Sequence, residues 1–212
     1  FFFDSLILKS TSEMTTVSKA AMDSLNQNNV FHKGNLKISF IHNGSRIPSN
    51  LSATQQSSFQ DRNIMTMLAA YEERKGHKEL IQALNILKQQ NQSILIECYG
   101  YIHKEYHQQL NLLIDKFKLS ENIRLNDFNS NIDEILSKSR AMLIPSIAME
   151  SFGLVATESM LRGVPVIAFK TGGLVEVVSD QVGILVERGD IHSLAEAINN
   201  HNTNEQLWNK LS

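Results

Sequence analysis

The feature that most constrains the fold is a regular alternation, from residue 61 onwards, between short apolar runs and amphipathic stretches of helical length. The apolar runs of strand length lie at 64–69, 94–98, 123–125, 141–144, 164–169 and 183–186. The stretches with helical spacing lie between and after them, at 76–89, 104–117, 132–136, 152–161, 173–178 and 191–199. Strands and helices that alternate in this way form βαβ units, in which the strands are parallel and helices cover both faces of the sheet. We therefore predict an α/β fold that binds its ligand at the carboxyl ends of the strands.

The chain before this alternation predicts two further parts. Residues 1–44 contain a strand, a helix with Ser18 at its N-cap, and an apolar run that ends in Asn43-Gly44, a strong turn signal. Residues 45–60 are mostly polar and predict a linker. The main domain is expected to span 61–212.

The charge and cysteine content of the chain indicate which partners and which cellular setting to expect. The chain has 212 residues and a formal net charge of −2, so it has no long-range basic field and we expect no nucleic-acid partner. Its single cysteine, Cys98, lies in an apolar run and cannot form an internal disulfide, which favours a reducing, cytoplasmic setting. No apolar run approaches the roughly 18 residues that a membrane-spanning helix needs.

The segment after the fourth predicted strand is the most informative about chemistry. The strand ends at Pro145-Ser146, a loop carries Glu150, and a helix begins near Phe152. The first N–H groups of a helix have no intrahelical partner, and the helix dipole places a partial positive charge there. Because Gly153 has no side chain, an anion can approach the backbone closely. A diphosphate could therefore bind the amides of 153–155.

Two carboxylates flank this helix start. Helical side chains lean toward the N-terminus, so Glu158 can reach the hydroxyls of a ribose whose phosphates lie at the helix end. Glu150 lies on the other side of the helix start, where it can hydrogen-bond a sugar. Taken alone, the pair is a weak signal, because two such glutamates usually lie on a solvated surface.

The wider motif carries a resemblance to a known family. In order, the chain contains Pro145-Ser146, Glu150-Ser151-Phe152-Gly153-Leu154, Glu158, Gly163-Val164-Pro165-Val166-Ile167-Ala168, Gly172-Gly173 and Glu176. This block closely resembles the signature of the family 4 retaining glycosyltransferases. The resemblance extends back to Arg74-Lys75-Gly76 at a strand-to-helix turn and to Ile41-His42-Asn43-Gly44 at the domain crossover. It implies the GT-B fold, in which two Rossmann-like domains face a cleft, with this chain as the C-terminal half: a Rossmann-like parallel sheet with helices on both faces.

The resemblance implies roles at the matching positions. Lys75 matches the basic residue that neutralises the donor phosphates, and Glu150 matches the first carboxylate of an E-x7-E motif, beside the transferred sugar. We expect these two residues to be catalytic. Glu158 matches the second carboxylate, on the ribose, and Arg74 can assist at the phosphates.

Further donor contacts follow from the same resemblance. The positions that match the segment whose backbone meets sugar and phosphate are Phe152, Gly153 and Leu154, and Val155 joins them as the third amide at the helix start. Gly100 and the loop Asn126-Asp127-Phe128 follow strands where the family places the nucleoside. For Gly172-Gly173 a tight turn into a helix is a sufficient explanation.

Two departures from the family pattern stand out. Many relatives have an arginine five positions before the lysine, where this chain has Ala70, so one phosphate contact is absent or is supplied by Arg74. The resemblance also leads us to expect that most of the first domain, with its acceptor site, lies outside this sequence. Residues 1–44 are expected to be a remnant of that domain together with the crossover.

The resemblance implies transfer of a hexose from a donor such as a UDP- or GDP-hexose to a glycan or lipid-linked acceptor, as in polysaccharide biosynthesis. Lys75 and the helix start would stabilise the leaving nucleotide diphosphate. No Asp-x-Asp motif occurs, so we expect no metal site and no cofactor. Relatives often dock on membranes through the first domain, so peripheral membrane association is expected there.

Other functions compete with this hypothesis. The chain could be a catalytically incomplete module that binds a nucleotide sugar without transferring it. A phosphorylase of the same fold would need a lysine placed for pyridoxal phosphate, and no such motif is visible. A dehydrogenase-type domain is disfavoured because no G-x-G-x-x-G follows a strand.

Overall fold

The computed structural model describes residues 11–27, 36–45, 47 and 58–212. Most of the predicted linker lies outside the described residues, as do 1–10 and 28–35 of the predicted N-terminal part. Within the described ranges, none of the helices combines the length and the apolar character that crossing a bilayer requires.

The N-terminal unit, which comprises the described residues 11–27 and 36–45, is a small βαβ arrangement. Strand β1 (Glu13–Thr16) leads into helix α1 (Lys19–Gln27), and β1 pairs in parallel with β2 (Lys37–Phe40) in a two-stranded sheet. Ser18 caps α1 as predicted, because its Oγ accepts a hydrogen bond from the N–H three residues later at 3.0 Å.

The strand order of the main sheet indicates where a ligand would bind. Its strands are β3 (Ile64–Leu68), β4 (Leu95–Tyr99), β5 (Ile123–Asn126), β6 (Ser139–Ile144), β7 (Val166–Phe169) and β8 (Gly183–Val186). All six are parallel, in the order β5-β4-β3-β6-β7-β8. The chain adds strands outward on one side from β3 and on the other side from β6. Such a reversal is where open parallel sheets bind ligands, so β3 and β6 should position the site.

Helices cover both faces of the sheet, which confirms the predicted α/β fold. They are α2 (His77–Gln89), α3 (Lys104–Phe117), α4 (Ile132–Ser137), α5 (Leu154–Met160), α6 (Leu174–Val177), α7 (Ile191–Thr203) and α8 (Glu205–Leu211). Along β7, Val166 and Ala168 pack into an apolar cluster with α4, α5 and α6, whereas Ile167 and Phe169 pack into the larger cluster with α2, α3 and α7. The strand is therefore buried on both sides, as a parallel sheet requires.

Helix α8 is an element that the hydrophobic pattern did not predict. Asn204 caps it by accepting a hydrogen bond from the N–H of Leu207 at 3.0 Å. The indole N–H of Trp208 donates to the carbonyl of Arg140 at 3.0 Å. Tertiary contacts and a cap fix this short polar helix, rather than a repeating apolar face.

The turns after β3 and β6 are held against each other. A 3₁₀ turn (Glu73–Lys75) follows β3 and ends at Gly76, which has φ +83°. A Cβ at Gly76 would lie 1.7 Å from the carbonyl oxygen of Pro145, at the start of the β6 loop (residues 145–153). Two N–H groups of that loop donate to the carbonyl of Arg74 at 3.0 and 3.3 Å. Only glycine permits this approach of the two backbones.

We predict that Gly76→Ala destabilises the fold by about 3 kcal/mol or more, because a positive φ and a backbone overlap both oppose the new methyl group. Gly189→Ala is the matched control: Gly189 has φ +80°, but a Cβ there has nothing within 4 Å. The control should lose only the backbone contribution, about 1 kcal/mol. Urea unfolding of both variants measures the difference, and equal losses would contradict the close contact.

Two buried histidines predict acid sensitivity. Burial lowers the pKa of His77 and of His201 from 6.5 to about 4. Because the neutral forms are favoured in the folded state, their contribution to stability is complete above pH 6.5. It is lost as the pH falls toward 4, on the order of 3 kcal/mol for each histidine.

We predict that His201→Gln, which can still donate to the carbonyl of Arg140, loses less stability than the wild type between pH 7 and pH 4.5. The exposed His192→Gln is the control and should follow the wild-type curve. Urea unfolding at the two pH values makes the comparison. The same acid-induced loss in His201→Gln and in the wild type would show that His201 is not responsible.

Candidate functional site

Two charged residues that the sequence analysis selected as catalytic lie at the switch point of the sheet, the place between β3 and β6 where the strand order reverses. Lys75 ends the turn after β3, and Glu150 lies in the loop after β6. The Lys75 Nζ is 2.7 Å from Glu150 Oε1, and the side chains are only 18% and 17% exposed. The Ser146 hydroxyl donates to the same carboxylate oxygen at 2.6 Å. Glu150 is thus fixed by a cation and a hydroxyl in the wall of a cleft.

The glycine pair at 172–173 supports the loop that carries Glu150. The N–H of Gly173 donates to the carbonyl of Glu150 at 2.7 Å. A Cβ at Gly172 would lie 2.1 Å from that carbonyl oxygen, and one at Gly173 would lie 2.7 Å from the Cα of Phe152. The pair therefore does more than turn the chain into α6, which was the simpler explanation from sequence. It lets the β6 loop rest directly on backbone.

The β6 loop ends at the start of α5. Gly153 precedes the helix with φ +96°, a left-handed conformation that other residues rarely adopt. The backbone N–H groups at the start of α5 have no intrahelical acceptor and carry the positive end of the helix dipole. Lys75 and residues 153–155 line one cavity. The charge of the lysine and the positive end of the helix dipole therefore lie beside the same space.

This first cavity has a volume of about 280 Å³. The ends of β3 and β6, the β6 loop and the N-terminal unit all contribute to its wall. Its lining residues are Val17, Asn43, Met67, Leu68, Ala69, Lys75, Leu143, Ile144, Ser146, Glu150, Ser151, Phe152, Gly153, Leu154 and Val155. Among these, Lys75 is the only cation and Glu150 the only anion.

A second cavity, of about 210 Å³, adjoins the first. The two cavities share Leu68, Ala69 and Val155 in their walls. At its rim Tyr101 and Phe128 stack in parallel, with ring centroids 4.5 Å apart and planes 6° apart. Both rings are more than half exposed, so a flat aromatic surface faces solvent at the end of the cleft.

Gly100 shapes this second cavity through the backbone. A Cβ there would lie 1.8 Å from the carbonyl oxygen of Ala69, so glycine allows the ends of β3 and β4 to close together. Ala70, at the position where many relatives have an arginine, also lines the second cavity. The structure therefore provides no cation at that position.

In the predicted nucleoside loop only Phe128 lines a cavity, and Asn126 and Asp127 do not. Two further predicted residues, Arg74 and Glu158, also line neither cavity. The Arg74 guanidinium, through Nε, pairs with Glu72 at 2.5 Å on the exposed side of the turn. Glu158 is half-buried in α5, three residues after Val155 and four after Leu154, so it lies on the helical face that borders the cavities. Arg74 would have to leave Glu72 before it could reach either cavity.

The structure also adds residues that sequence reasoning did not assign to the site. Ser146 stood in the motif without a role, and Asn43 lay in the crossover segment. Val17 and Tyr101 had no signal beyond their position next to a predicted helix cap or after a strand. All four line one of the two cavities.

A larger cavity, with a volume of about 530 Å³, lies at the other end of the main sheet. It is bordered by Arg62, Gly163 and Val182, which precede β3, β7 and β8 respectively. It therefore opens at the amino ends of the strands, opposite the edge at which parallel sheets bind ligands. In the part of the chain that the structure describes, no three His, Cys, Asp or Glu side chains are grouped to hold a metal ion.

Comparison with known proteins places this geometry in a family. The model of the glycosyl transferases group 1 family matches residues 50–212. The chain is 31% identical over 135 residues to N-acetyl-alpha-D-glucosaminyl L-malate synthase of Bacillus anthracis, an alignment that covers 58% of this chain and 35% of that protein.

Solved structures agree on the fold. The Anabaena protein Alr3699/HepE, in complex with UDP and glucose, superposes with a TM-score of 0.79 at 26% identity, covering 94% of this chain and 56% of that one. TarM superposes with a TM-score of 0.83 at 20% identity, covering all of this chain and 41% of that one. The chain thus spans about a third to a half of these proteins. These neighbours are GT-B glycosyltransferases, and the chain belongs to the glycosyl transferases group 1 family.

Proposed function

We propose that this chain supplies the donor site of a retaining glycosyltransferase, which transfers a hexose from a nucleotide diphosphate sugar such as UDP- or GDP-hexose. The observation that carries the proposal is the pair of adjoining cavities at the switch point of the sheet. One holds the Lys75–Glu150 ion pair and the start of α5, and the other has an aromatic rim. A nucleotide sugar has the same sequence of chemical parts: sugar, diphosphate, ribose and flat base.

The first cavity is suited to the departing diphosphate. Phosphate oxygens at the amides of Gly153, Leu154 and Val155 would receive hydrogen bonds that no intrahelical carbonyl competes for. Lys75 would turn from Glu150 to the phosphates and stabilise the charge that develops as the glycosidic bond breaks. Glu150 would then be free to accept a hydrogen bond from the sugar, with Ser146 keeping its carboxylate in place.

The second cavity is suited to the nucleoside. A base at the Tyr101–Phe128 rim would contact an aromatic face, and the mostly apolar wall beneath it includes Leu68, Ala69 and Ala70. The ribose would then lie near Val155, where the two cavities meet, within one helical turn of Glu158. The carboxylate of Glu158 would accept hydrogen bonds from the ribose hydroxyls.

The similar proteins support this assignment. The Anabaena protein binds UDP and glucose in its solved structure, and the Bacillus protein is named a glucosaminyl malate synthase. We propose that the donor is held without a metal ion or other cofactor, with Lys75 and helix amides as the positive groups. The acceptor would be a glycan or a lipid-linked glycan in the cytoplasm, approached through the first domain of the fold.

A second candidate function is a nucleotide-sugar-binding module that does not catalyse transfer by itself. The parts of a nucleotide sugar account for both cavities, and neither cavity is assigned to an acceptor. The two functions differ in turnover. Binding of the donor without release of UDP or GDP, restored by adding the remainder of the fold, would identify the module.

We predict that UDP or GDP raises the melting temperature of the chain and that Lys75→Ala abolishes most of this rise. A ligand at about 100 times its Kd stabilises the folded state by about 2.7 kcal/mol, so the effect is measurable by thermal shift. Lys170→Ala is the matched control, because Lys170 pairs with Glu187 on the exposed surface after β7. If Lys75→Ala responds to the nucleotide as the wild type does, the phosphates do not bind at this lysine.

We predict that Tyr101→Ala weakens UDP binding by about tenfold, because base stacking on an aromatic ring contributes about 1–3 kcal/mol. Tyr101→Phe keeps the ring and should bind like the wild type. Inorganic pyrophosphate, which has no base, should bind Tyr101→Ala and the wild type equally. Calorimetric titration with both ligands makes the comparison, and equal UDP affinity in Tyr101→Ala would place the base elsewhere.

A further inference from the structure

Glu176 lies in α6, three residues after Gly173, which supports the loop that carries Glu150, and its side chain contacts the N-terminal unit. One carboxylate oxygen accepts the N–H of Ala20 at 2.7 Å, and the other accepts the N–H of Lys19 at 3.0 Å. The second oxygen is also 3.0 Å from the His42 Nε2. A single side chain, only 18% exposed, therefore binds both the start of α1 and the segment that follows β2.

Glu176 provides hydrogen-bond acceptors for N–H groups in the first turn of α1 that have no acceptor within the helix. The N–H groups of Lys19 and Ala20 belong to the first turn of the helix and have no intrahelical acceptor. Helix α1 has no acidic residue in its own first turn. The carboxylate of Glu176 supplies the missing acceptors and a negative charge at the positive end of the helix dipole.

The protonation of Glu176 is consistent with these contacts. Burial acts to raise the pKa of its carboxyl, but hydrogen bonds from Ala20, His42 and Lys19 outweigh burial and hold the pKa below its ordinary value. The side chain is accordingly ionised at neutral pH, as an acceptor of three hydrogen bonds should be.

Three neighbouring contacts also hold the N-terminal unit against the β6 loop and α5. The Ser18 hydroxyl donates to the carbonyl of Ser151 at 2.5 Å. The His42 ring packs against Phe152 with centroids 5.5 Å apart. The Ser45 hydroxyl lies 2.7 Å from that of Thr157 in α5. Among these contacts, Glu176 provides the ionised group.

The consequence for the site follows from sequence adjacency. Val17 precedes Ser18, and Asn43 follows His42; both residues line the first cavity together with Lys75 and Glu150. Glu176 does not line that cavity. Any influence by contact must therefore pass through the segments that it holds in place, whereas its negative charge acting at a distance would weaken the binding of an anion.

We propose that Glu176 is a positioning residue that seats the N-terminal unit on the β6 loop and thereby sets the affinity of the first cavity for the nucleotide diphosphate. This inference rests on the proposed function for its ligand. It concerns a residue outside the cavity and adds a role to those of Lys75, Glu150 and Glu158.

The test combines amide hydrogen exchange with nucleotide titration. Glu176→Gln keeps the shape of the side chain, but its amide group cannot accept hydrogen bonds at both positions. The N–H of Lys19 or Ala20 should exchange about tenfold faster, and the Kd for UDP or GDP, whichever binds the wild type more tightly, should rise about tenfold. Exchange in β3 and β6 and the melting temperature without nucleotide should stay close to wild type.

Glu187→Gln is the matched control, since Glu187 forms an exposed ion pair with Lys170 and should change neither readout. A double-mutant cycle with Asn43→Ala should show coupling, because Glu176 acts partly through the position of Asn43.

Three results would overturn the inference: an unchanged Kd in Glu176→Gln, faster exchange throughout the main sheet, or strictly additive effects with Asn43→Ala. If the wild type binds neither UDP nor GDP, the proposed function fails instead. The exchange of the Lys19 and Ala20 amides then still decides whether Glu176 holds α1 in place.

Discussion

The contact between the turns that follow β3 and β6 is the constraint on which the rest of the site depends. Gly76 lies so close to the Pro145 carbonyl that no side chain fits between them. Because the turns touch, Lys75 and Glu150 form an ion pair although they are 75 positions apart in sequence. The same contact fixes the start of α5 relative to Lys75, so the two sources of positive character face one cavity. Charge placed in advance in this way can stabilise a leaving anion without rearrangement of the backbone.

At two further places beside the site, a glycine allows one backbone segment to contact another. Gly173 lies against the β6 loop and Gly100 lies against the end of β3. These glycines allow loops to pack as closely as strands do, which limits the movement of the side chains that they carry. The ion pair is largely buried, and the cost of removing both charges from water offsets much of the attraction between them, so the pair contributes little to stability compared with the core. In the proposed function its importance is chemical, because the pair keeps Lys75 and Glu150 next to each other until a bound donor would separate them.

The sequence predicted the fold well because the βαβ pattern is strongly periodic and the main-sheet strands are buried. The apolar runs of β6 and β7 have few alternative structures, and their neighbouring helices follow a clear 3.6-residue spacing. The sequence analysis assigned Lys75 and Glu150 to one site, because both follow strands of a parallel sheet whose carboxyl ends meet, but it did not predict their ion pair. Helix α8 was not accessible, since its position depends on Trp208 reaching the carbonyl of Arg140, a tertiary contact with no local signature.

The features of the site that the sequence did not predict also depend on tertiary contacts. The side-chain direction of Arg74 depends on its competing partner Glu72, which a motif does not reveal. The stacking of Tyr101 on Phe128 joins two loops that follow different strands, and nothing in either loop indicates the other. The part played by Val17 and Asn43 depends on how the N-terminal unit seats on the main sheet, which local periodicity does not encode.

The central claim is that the start of α5 and Lys75 grip a nucleotide diphosphate, and amide-resolved NMR during a titration with UDP or GDP tests it most directly. We expect the largest saturable shifts at the N–H groups of Gly153, Leu154 and Val155, with smaller shifts around Lys75. Shifts confined to the cavity beside Arg62 and Trp208, with 153–155 unchanged, would contradict the account.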